Sequence, residues 1–418
     1  MPTAPYHWIS CQIGARENYS IPRALHQQGK LAHLITDAWV LPQSALNFLP
    51  KKILANLRER YHPDLAKASV HAFNIPLIQF ESSQRLQKKT GWERVISRNQ
   101  WFQKQSIKIL ASRTDHLTKP AILFSYSYGA LELFRFAKQQ GWYTVLGQID
   151  PGIEEERIVN QEYDKYPHYR GSWQPAPGEY WQSWQEECNI ADAIVVNSHW
   201  SRQLLEKTGV ESKKIHIIPL VYSPPAAANQ FVRIYPESFS QERPLRVLFL
   251  GQVILRKGIA AVLDAVQLLA GYPVEFWIVG SAQIEIPQHL QTHPQIRWVG
   301  HVNRSETAKY YQMADVFLFP TLSDGFGLTQ LEAQAWKLPI IASRYCGEVV
   351  VDGVNGWILE EVNGEEIAAH VKQLLNNPQY LKDCVKRFAY TLNNLSENNL
   401  LDQHLLNLSS CLQSLSNT

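Results

Sequence analysis

A short apolar strand followed by a glycine turn and a helix recurs along this chain. The segment DVFLF, residues 315–319, leads into a turn rich in Gly and Ser, and a helix is predicted to begin near Leu328. The segment RVLFLG, residues 246–251, precedes a second such turn and helix. Strands that alternate with helices in this way build parallel sheets with helices on both faces. The pattern predicts an α/β protein made of Rossmann-like, doubly wound sheets.

A break in this periodicity divides the chain. Residues 221–244, VYSPPAAANQFVRIYPESFSQERP, contain four prolines and many small residues, which predicts a linker. At 418 residues the chain is too long for one compact core. We therefore predict Rossmann-like domains over residues 1–220 and 245–395. The leucines of residues 396–418 repeat at steps of four and three, which predicts a terminal helix that either packs back on the first domain or forms an oligomer contact.

Composition excludes a membrane-spanning or disulfide-rich protein. Apolar residues make up 45% of the chain and charged residues 19%, as in ordinary soluble proteins. No apolar run approaches the roughly 20 residues that span a bilayer, and the start MPTAPYHWIS does not resemble a signal peptide. The five cysteines are scattered and never spaced as metal ligands, which favours buried free thiols. We expect a cytoplasmic protein without a metal.

The charge is unevenly distributed along the chain. Residues 1–120 contain 17 Lys and Arg against 7 Asp and Glu, although the whole chain has a formal charge of only +2. A peripheral contact with anionic lipid heads or with an acidic partner is one explanation, and solvated basic helix faces are the other. Within residues 85–110, basic residues are interspersed with Trp92 and Trp101. Such a helix suits a membrane surface, an acceptor pocket or packing on the sheet.

The two glycine turns have the features of anion-binding sites. The first amides of a helix lack intrahelical partners and lie at the positive end of its dipole. Asp324 lies at the mouth of one turn and Glu332 lies one helical turn inside, so a ligand that reaches both would have hydroxyls at two places and a phosphate between them. This describes a nucleotide sugar. Arg256 and Lys257 stand at the other helix entrance, where two cations can neutralise a diphosphate. The alternative is a solvated first turn, although the dipole disfavours cations there.

The stretch from Pro320 to Leu359 resembles the donor-site signature of glycosyltransferase family four. That signature has two acids separated by seven residues around a GFGL-type loop, then a Leu-Pro-hydrophobic-Ala-Ser strand and a Gly-Glu turn. The matching residues are Asp324, Gly325, Phe326, Gly327, Leu328, Glu332, Leu338, Pro339, Ala342, Ser343, Gly347 and Glu348. The chain departs from the family twice: the first acid is Asp instead of Glu, and Gln252 follows Gly251 where the family has an Arg.

The resemblance implies the GT-B architecture, in which two Rossmann-like domains face each other across a cleft. It implies retaining transfer of a sugar from a UDP- or GDP-sugar to a hydroxyl of a glycan or lipid-linked saccharide, with no required metal or cofactor. The donor would rest on the second domain, and the acceptor would enter from the first. The implied contacts are Glu332 with the ribose, Asp324 and the amides of Phe326, Gly327 and Leu328 with the sugar, and Arg256 and Lys257 with the diphosphate beside Gly251 and Gln252.

Three features of the first domain are candidates for its side of the cleft. Gly14 lets the chain turn at the carboxyl end of the first predicted strand, where such sheets place ligands, although a plain turn glycine explains it equally well. Asp150 ends another predicted strand and either orients or deprotonates an acceptor hydroxyl or forms a turn before Pro151. Residues 154–178 are polar, aromatic and rich in Pro, and we predict a long ordered loop that suits a sugar acceptor.

Two other functions fit the same residues. A nucleotide-sugar epimerase or hydrolase on this fold would need acid and base groups around the sugar instead of an acceptor groove. A non-catalytic relative that binds a sugar or a partner is suggested by the departures at Asp324 and Gln252. Product analysis and nucleotide binding separate these hypotheses from the transferase.

Overall fold

The chain folds around two parallel β-sheets. The computed structural model describes residues 6–44, 46, 57, 60–113, 121–171 and 173–392. The predicted terminal helix over residues 396–418 lies outside the described residues. No helix in these ranges is long and apolar enough to cross a bilayer.

Among the described residues, the first sheet contains seven parallel strands. They are β1 (His7–Gln12), β2 (Leu31–Thr36), β3 (Val70–Ala72), β4 (Ala121–Tyr126), β5 (Tyr143–Gly147), β6 (Ala193–Val196) and β7 (Ile215–Ile217). The accompanying helices are α1 (Ser20–Gln27), α2 (Asn74–Leu86), α3 (Gly91–Ala111), α4 (Leu131–Gln139), α5 (Ile153–Lys165), α6 (Gly178–Ile190) and α7 (His199–Lys207). The lateral order is β3-β2-β1-β4-β5-β6-β7, so the winding direction reverses between β1 and β4.

The second sheet repeats this plan with six parallel strands in the described part of the chain. Helix α8 (Ala226–Gln230) precedes it. The strands are β8 (Leu245–Leu250), β9 (Val274–Val279), β10 (Ile296–Gly300), β11 (Val316–Phe319), β12 (Ile340–Ser343) and β13 (Gly356–Leu359). The helices are α9 (Ile259–Leu268), α10 (Gln288–Gln291), α11 (Thr307–Met313), α12 (Leu328–Ala335), α13 (Gly364–Asn376) and α14 (Gln379–Leu392). The order β10-β9-β8-β11-β12-β13 reverses between β8 and β11.

Both sheets are covered on their two faces, which explains their apolar strands. All six residues of β4 and all four of β11 are buried. Open sheets of this kind bind ligands beyond the carboxyl ends of the strands, where the strand order reverses. The predicted fold class, two Rossmann-like doubly wound sheets, is confirmed. Functional residues are therefore expected after β1 and β4 in the first sheet and after β8 and β11 in the second.

The predicted loop over residues 154–178 is wrong in its first part, because residues Ile153–Lys165 form α5. The helix follows Gly152, whose φ of +69° favours glycine. Its first turn holds Glu154, Glu155 and Glu156, which the positive end of the helix dipole stabilises. Because of this run of acids, the sequence pattern does not indicate a helix, although the helix has a short apolar stripe. That stripe is the pair Val159 and Tyr163, one turn apart and both buried.

Residues between the two sheets are held to the second sheet by a buried arginine. Arg233 is only 8% exposed, and its guanidinium donates hydrogen bonds to backbone carbonyls. The acceptors are the carbonyls of Tyr311, Ala314, Trp336 and Lys337. The Tyr235 hydroxyl adds a bond of 2.8 Å to the carbonyl of Asp315. We propose domains over residues 1–220 and 245–395, with residues 221–244 as a linker that packs on the second domain.

We expect Arg233→Ala to destabilise the second domain by about 2–4 kcal/mol, because several buried carbonyls would lose their hydrogen-bond donors together. Thermal unfolding monitored by circular dichroism measures this change. Arg135→Ala is the matched control, since Arg135 pairs with Glu132 and Glu186 at the surface, where ion pairs contribute little. Equal unfolding midpoints for the two variants would contradict the role given to Arg233.

Candidate active site between the two sheets

The carboxyl ends of the two sheets meet at a backbone contact. A Cβ atom at Gly325 would lie 2.0 Å from the carbonyl oxygen of Ile149, so this approach requires glycine. Two hydrogen bonds flank the contact: Trp200 Nε1 donates to Ser323 Oγ at 3.0 Å, and Ser201 Oγ donates to the Gly325 carbonyl at 3.3 Å. The close approach of Gly325 to Ile149 packs the loop after β5 against the loop after β11.

A cluster of charges lies beside this contact. Lys257 forms an ion pair with Asp324, and the Arg256 guanidinium lies 4.0 Å from the same carboxylate. Arg256 also donates to the Ser323 carbonyl at 3.0 Å. Burial alone would raise the pKa of Asp324, but the two cations outweigh it and lower that pKa. Burial lowers the pKa of Lys257 despite its carboxylate partner.

The two cations are positioned by a tight turn. Residues Leu255–Lys257 form a single 3₁₀ turn, and Gly258 follows with a φ of +75°. A Cβ atom at Gly258 would lie 1.9 Å from the carbonyl oxygen of Pro320, so the turn packs directly on the end of β11. Because the turn and the loop after β11 are in contact, Lys257 and Asp324 can pair although 67 positions separate them.

The other predicted donor residues form the surrounding turns. Gly251 donates its amide to the Val279 carbonyl at 2.9 Å, and the side chain of Gln252 is exposed. Phe326 is buried, and Gly327, with a φ of +84°, directly precedes the first residue of α12, Leu328. The helix thus begins where the sequence predicts.

Glu332 lies at the far side of the loop that begins at Asp324. Its carboxylate accepts a hydrogen bond of 2.9 Å from the Tyr311 hydroxyl, and Arg304 lies 3.9 Å away. Burial raises the pKa of Glu332. A cavity of about 150 Å³ is lined by Arg304, Leu328, Tyr222 and Glu17. The loop from Asp324 to Leu328 therefore connects the charge cluster with this smaller cavity.

Asp150 forms a turn and also lines a cavity. Its Oδ1 accepts hydrogen bonds from the Gly152 amide at 2.9 Å, from Gln148 Nε2 at 3.1 Å and from the Tyr128 hydroxyl, which is the geometry of a turn former. It also lines a cavity of about 360 Å³ between the two sheets, together with Arg256. The structure therefore places Asp150 beside the same guanidinium that approaches Asp324.

Gly14 is a structural turn within the first sheet. Its φ is +82°, its amide donates to Asp37 Oδ1 at 2.9 Å, and a Cβ atom would lie 2.2 Å from the Arg60 guanidinium. Asp37 is fully buried and also pairs with Arg98 at 2.8 Å. These contacts account for Gly14 without a ligand, and none of them involves the charge cluster.

Sequence reasoning missed Glu17, which lies just beyond Gly14. Glu17, Asn18 and Tyr19 are three successive non-glycine residues with positive φ angles, a strained arrangement. The Glu17 carboxylate accepts hydrogen bonds from the Tyr126 hydroxyl at 3.1 Å and from Asn197 Nδ2 at 3.4 Å. Burial raises its pKa. Its position at the strand-order reversal, lining the smaller cavity, makes it a candidate ligand contact.

Sequence reasoning also missed Glu155, because its segment was interpreted as a loop. Its carboxylate lies 3.5 Å from the Arg256 guanidinium, and Oε2 is buried without a hydrogen-bond partner. Burial raises the pKa of Glu155 to about 8, and the nearby Asp150 and Asp324 reinforce the shift while Arg256 opposes it. The raised pKa favours the neutral carboxyl, which leaves the charge of Arg256 available to an anion.

Comparison with known proteins addresses the second half of the chain. Residues 233–389 match the family model of glycosyl transferases group 1. The chain carries a glycosyl transferases group 1 domain. This domain contains Arg256, Lys257, Asp324 and Glu332, so the resemblance predicted from the loop after β11 is confirmed at the level of this group.

Curated relatives match part of this chain. The capsular polysaccharide biosynthesis glycosyltransferase CapM of Staphylococcus aureus is 30% identical over 31% of this chain and 36% of its own length. The D-inositol 3-phosphate glycosyltransferase of Nocardiopsis dassonvillei is 26% identical over 46% of this chain and 49% of its own length. The chain thus spans about half the length, or less, of these relatives.

Solved structures match nearly the whole length of this chain. The sucrose-phosphate synthase of Thermosynechococcus elongatus superposes with a TM-score of 0.65 at 14% identity, covering 98% of this chain and 99% of that chain. Anabaena HepE in complex with UDP-glucose superposes with a TM-score of 0.59 at 15% identity, covering 97% and 100%. At these identities the likeness shows the fold, which is the predicted GT-B arrangement.

We expect the affinity for inorganic pyrophosphate to fall as the pH rises from 7 to 9. Glu155 is neutral below its pKa of about 8 and anionic above it, and the new charge offsets Arg256. One linked proton limits the loss to about tenfold per pH unit. Titration calorimetry at several pH values measures it. In Glu155→Gln this part of the pH dependence should disappear, whereas Glu186→Gln, on the outer surface, should retain it; unchanged pH profiles in both variants would contradict the assignment.

Proposed function

We propose that this protein transfers a sugar from a nucleotide-sugar donor to a hydroxyl acceptor. The observation that carries the proposal is the convergence of two sheets on one charged site. Arg256, Lys257 and Asp324 come from the glycosyl transferases group 1 domain, and Asp150 comes from the first sheet. Such a site has cations for a diphosphate on one side and a carboxylate for an acceptor on the other.

The donor contacts follow from the charges. The diphosphate binds Arg256 and Lys257. It thereby replaces Asp324 as the partner of Lys257, and the Asp324 carboxylate becomes available to the sugar hydroxyls. The amides of Phe326, Gly327 and Leu328 lie at the start of α12, where anions and polar oxygens are favoured. Glu332 holds the ribose hydroxyls while the Tyr311 hydroxyl fixes the orientation of its carboxylate. UDP is the favoured nucleotide, because structural neighbours were solved with UDP and UDP-glucose, and GDP is the alternative.

The chemistry requires stabilisation of a leaving group. As the bond between the sugar and the diphosphate breaks, negative charge grows on the phosphate oxygen, and two half-buried cations at fixed positions stabilise it. The acceptor hydroxyl forms the new bond to the anomeric carbon as the bond to the diphosphate breaks, and its proton passes to the departing phosphate oxygen. Asp150 orients that hydroxyl through Oδ2, to which no described residue donates a hydrogen bond. Following the family resemblance, we propose that the configuration of the anomeric carbon is retained without a required metal.

A second candidate is a nucleotide-sugar hydrolase or epimerase. It is favoured by the presence of three carboxyl groups, those of Asp150, Glu155 and Glu156, in the wall of one cavity. The higher pKa of Glu155 would suit a general acid. Product analysis with and without an acceptor separates the two candidates, because a transferase forms a new glycosidic bond only when the acceptor is present.

We expect Lys257→Ala and Glu332→Ala to abolish turnover, a loss of about 100-fold or more, because each removes a charged contact with the donor. Nucleotide release from a panel of UDP- and GDP-sugars measures the rate. Circular dichroism should show an intact fold.

Two exposed residues of the same domain provide the controls. Lys386→Ala and Glu365→Ala remove the same charges at exposed positions on α14 and α13, and neither residue lines either of the two cavities. Both should keep normal rates. Near-normal turnover in Lys257→Ala or Glu332→Ala would contradict the proposed donor site.

We also expect calorimetry to detect binding of UDP or GDP to the isolated full chain, with weaker binding in Arg256→Ala. Binding without turnover on any nucleotide sugar would favour a non-catalytic relative. If neither UDP nor GDP binds, the proposed donor site is excluded.

A further inference from the structure

An aromatic cavity adjoins the charge cluster. The sequence suggested acceptor roles for two of the segments that line it, residues 85–110 and 154–178, but not that they meet at one cavity. Its volume is about 360 Å³, within the range of small-molecule sites. Six aromatic side chains line it: Trp92, Tyr128, Tyr163, Trp173, Tyr180 and Trp181. All but Tyr163 are half-buried, so their rings form its accessible walls.

One group of rings comes from α3, the turn after β4, and α6. The ring of Tyr180 stacks on Tyr128, with centroids 4.9 Å apart and planes inclined by 16°. Trp92 lies against Tyr180 at 4.8 Å. The indole of Trp92 donates to the Gln174 carbonyl at 3.0 Å, and that of Trp181 donates to Glu156 at 2.9 Å. Contacts with three separate elements hold these rings in place before any ligand arrives.

A second pair of rings comes from α5 and the chain that follows it. Tyr163 and Trp173 stack with centroids 4.5 Å apart and planes inclined by 23°. Tyr163 belongs to the hydrophobic core of the second sheet, and Trp173 packs against that core. The cavity therefore has aromatic walls supported by both domains.

Polar groups in the same cavity are available for hydroxyls. Glu155 Oε2 is buried without a hydrogen-bond partner, and Asp150 Oδ2 receives no hydrogen bond from a described residue. A buried oxygen without a partner costs free energy that a ligand hydroxyl would recover. Glu156 is already occupied, since it accepts from the Ala176 amide as well as from Trp181.

We propose that this cavity binds a pyranose ring of a saccharide acceptor, stacked on the Tyr180 and Trp92 rings with its hydroxyls directed at Asp150 and Glu155. This inference rests on the proposed transferase function and specifies its acceptor. A pyranose has an apolar C–H face that packs on an aromatic ring and a rim of hydroxyls that bond carboxyl groups. An alkyl chain would leave the carboxyl groups unpaired, and a quaternary ammonium ion would meet the Arg256 guanidinium in the wall.

Saturation-transfer NMR on the full chain with UDP tests the inference. The probes are methyl hexopyranosides, with glucitol and choline as controls that lack a rigid ring or replace the hydroxyls with a cation. We expect saturable binding of at least one pyranoside, with the strongest transfer to C–H protons of one ring face. Tyr180→Ala should weaken binding about tenfold or more, whereas Tyr180→Phe, which keeps the ring, should bind normally.

Two measurements separate this inference from the transferase proposal. UDP binding is measured on the same samples, and Tyr380→Ala removes an exposed tyrosine far from the cavity as a folding control. Pyranoside binding that requires Tyr180 supports the saccharide site in this cavity. If the same samples fail to bind UDP, the transferase proposal fails while the saccharide site stands. Equal binding by wild type and Tyr180→Ala, preference for glucitol or choline, or no pyranoside binding to a UDP-loaded protein overturns it.

Discussion

The contact between Gly325 and the carbonyl of Ile149 is the constraint on which the site depends. No side chain fits between these two backbone segments, since a Cβ atom would lie 2.0 Å from the oxygen. The approach places the loop after β11 against the loop after β5, so that Asp150 and Glu155 face Arg256 across the boundary between the sheets. A larger residue at position 325 would separate the two halves of the site before it altered any charged group.

Cations and carboxylates are neighbours at this boundary. Because opposite charges lie close together, the fold can hold them in a site that is largely shielded from water. Lys257 neutralises Asp324, while Arg256 lies between Asp324 and Glu155, whose raised pKa favours its neutral form. Buried ion pairs contribute little net stability, because desolvation of the charges offsets their attraction. We therefore propose that the cluster is a binding site in a resting state, in which Asp324 occupies the cation that a diphosphate would take.

Local patterns predicted the fold and the start of α12 well. Apolar strands, glycine turns and helix starts depend on neighbouring residues, and the helix predicted near Leu328 begins at that residue. Glu17 and Glu155 escaped prediction for a different reason. The contacts of Glu17 with Tyr126 and Asn197 join residues 109 and 180 positions apart, and the contact of Glu155 with Arg256 joins the two sheets. Such contacts can be identified only once the topology is known. In addition, the run of acids at the start of α5 led to the prediction of a loop instead of the helix that carries Glu155.

Helix α5 belongs to one sheet by connectivity and to the other by packing. It follows β5 through Gly152, yet Val159 and Tyr163 lie in the hydrophobic core of the second sheet. A hinge motion that opened the cleft would have to bend the chain near Gly152 and leave the helix docked, or expose both side chains to water at a cost of about 1.5–3 kcal/mol each. Resistance to opening is thus governed by this docked helix as well as by the connection at residues 221–244.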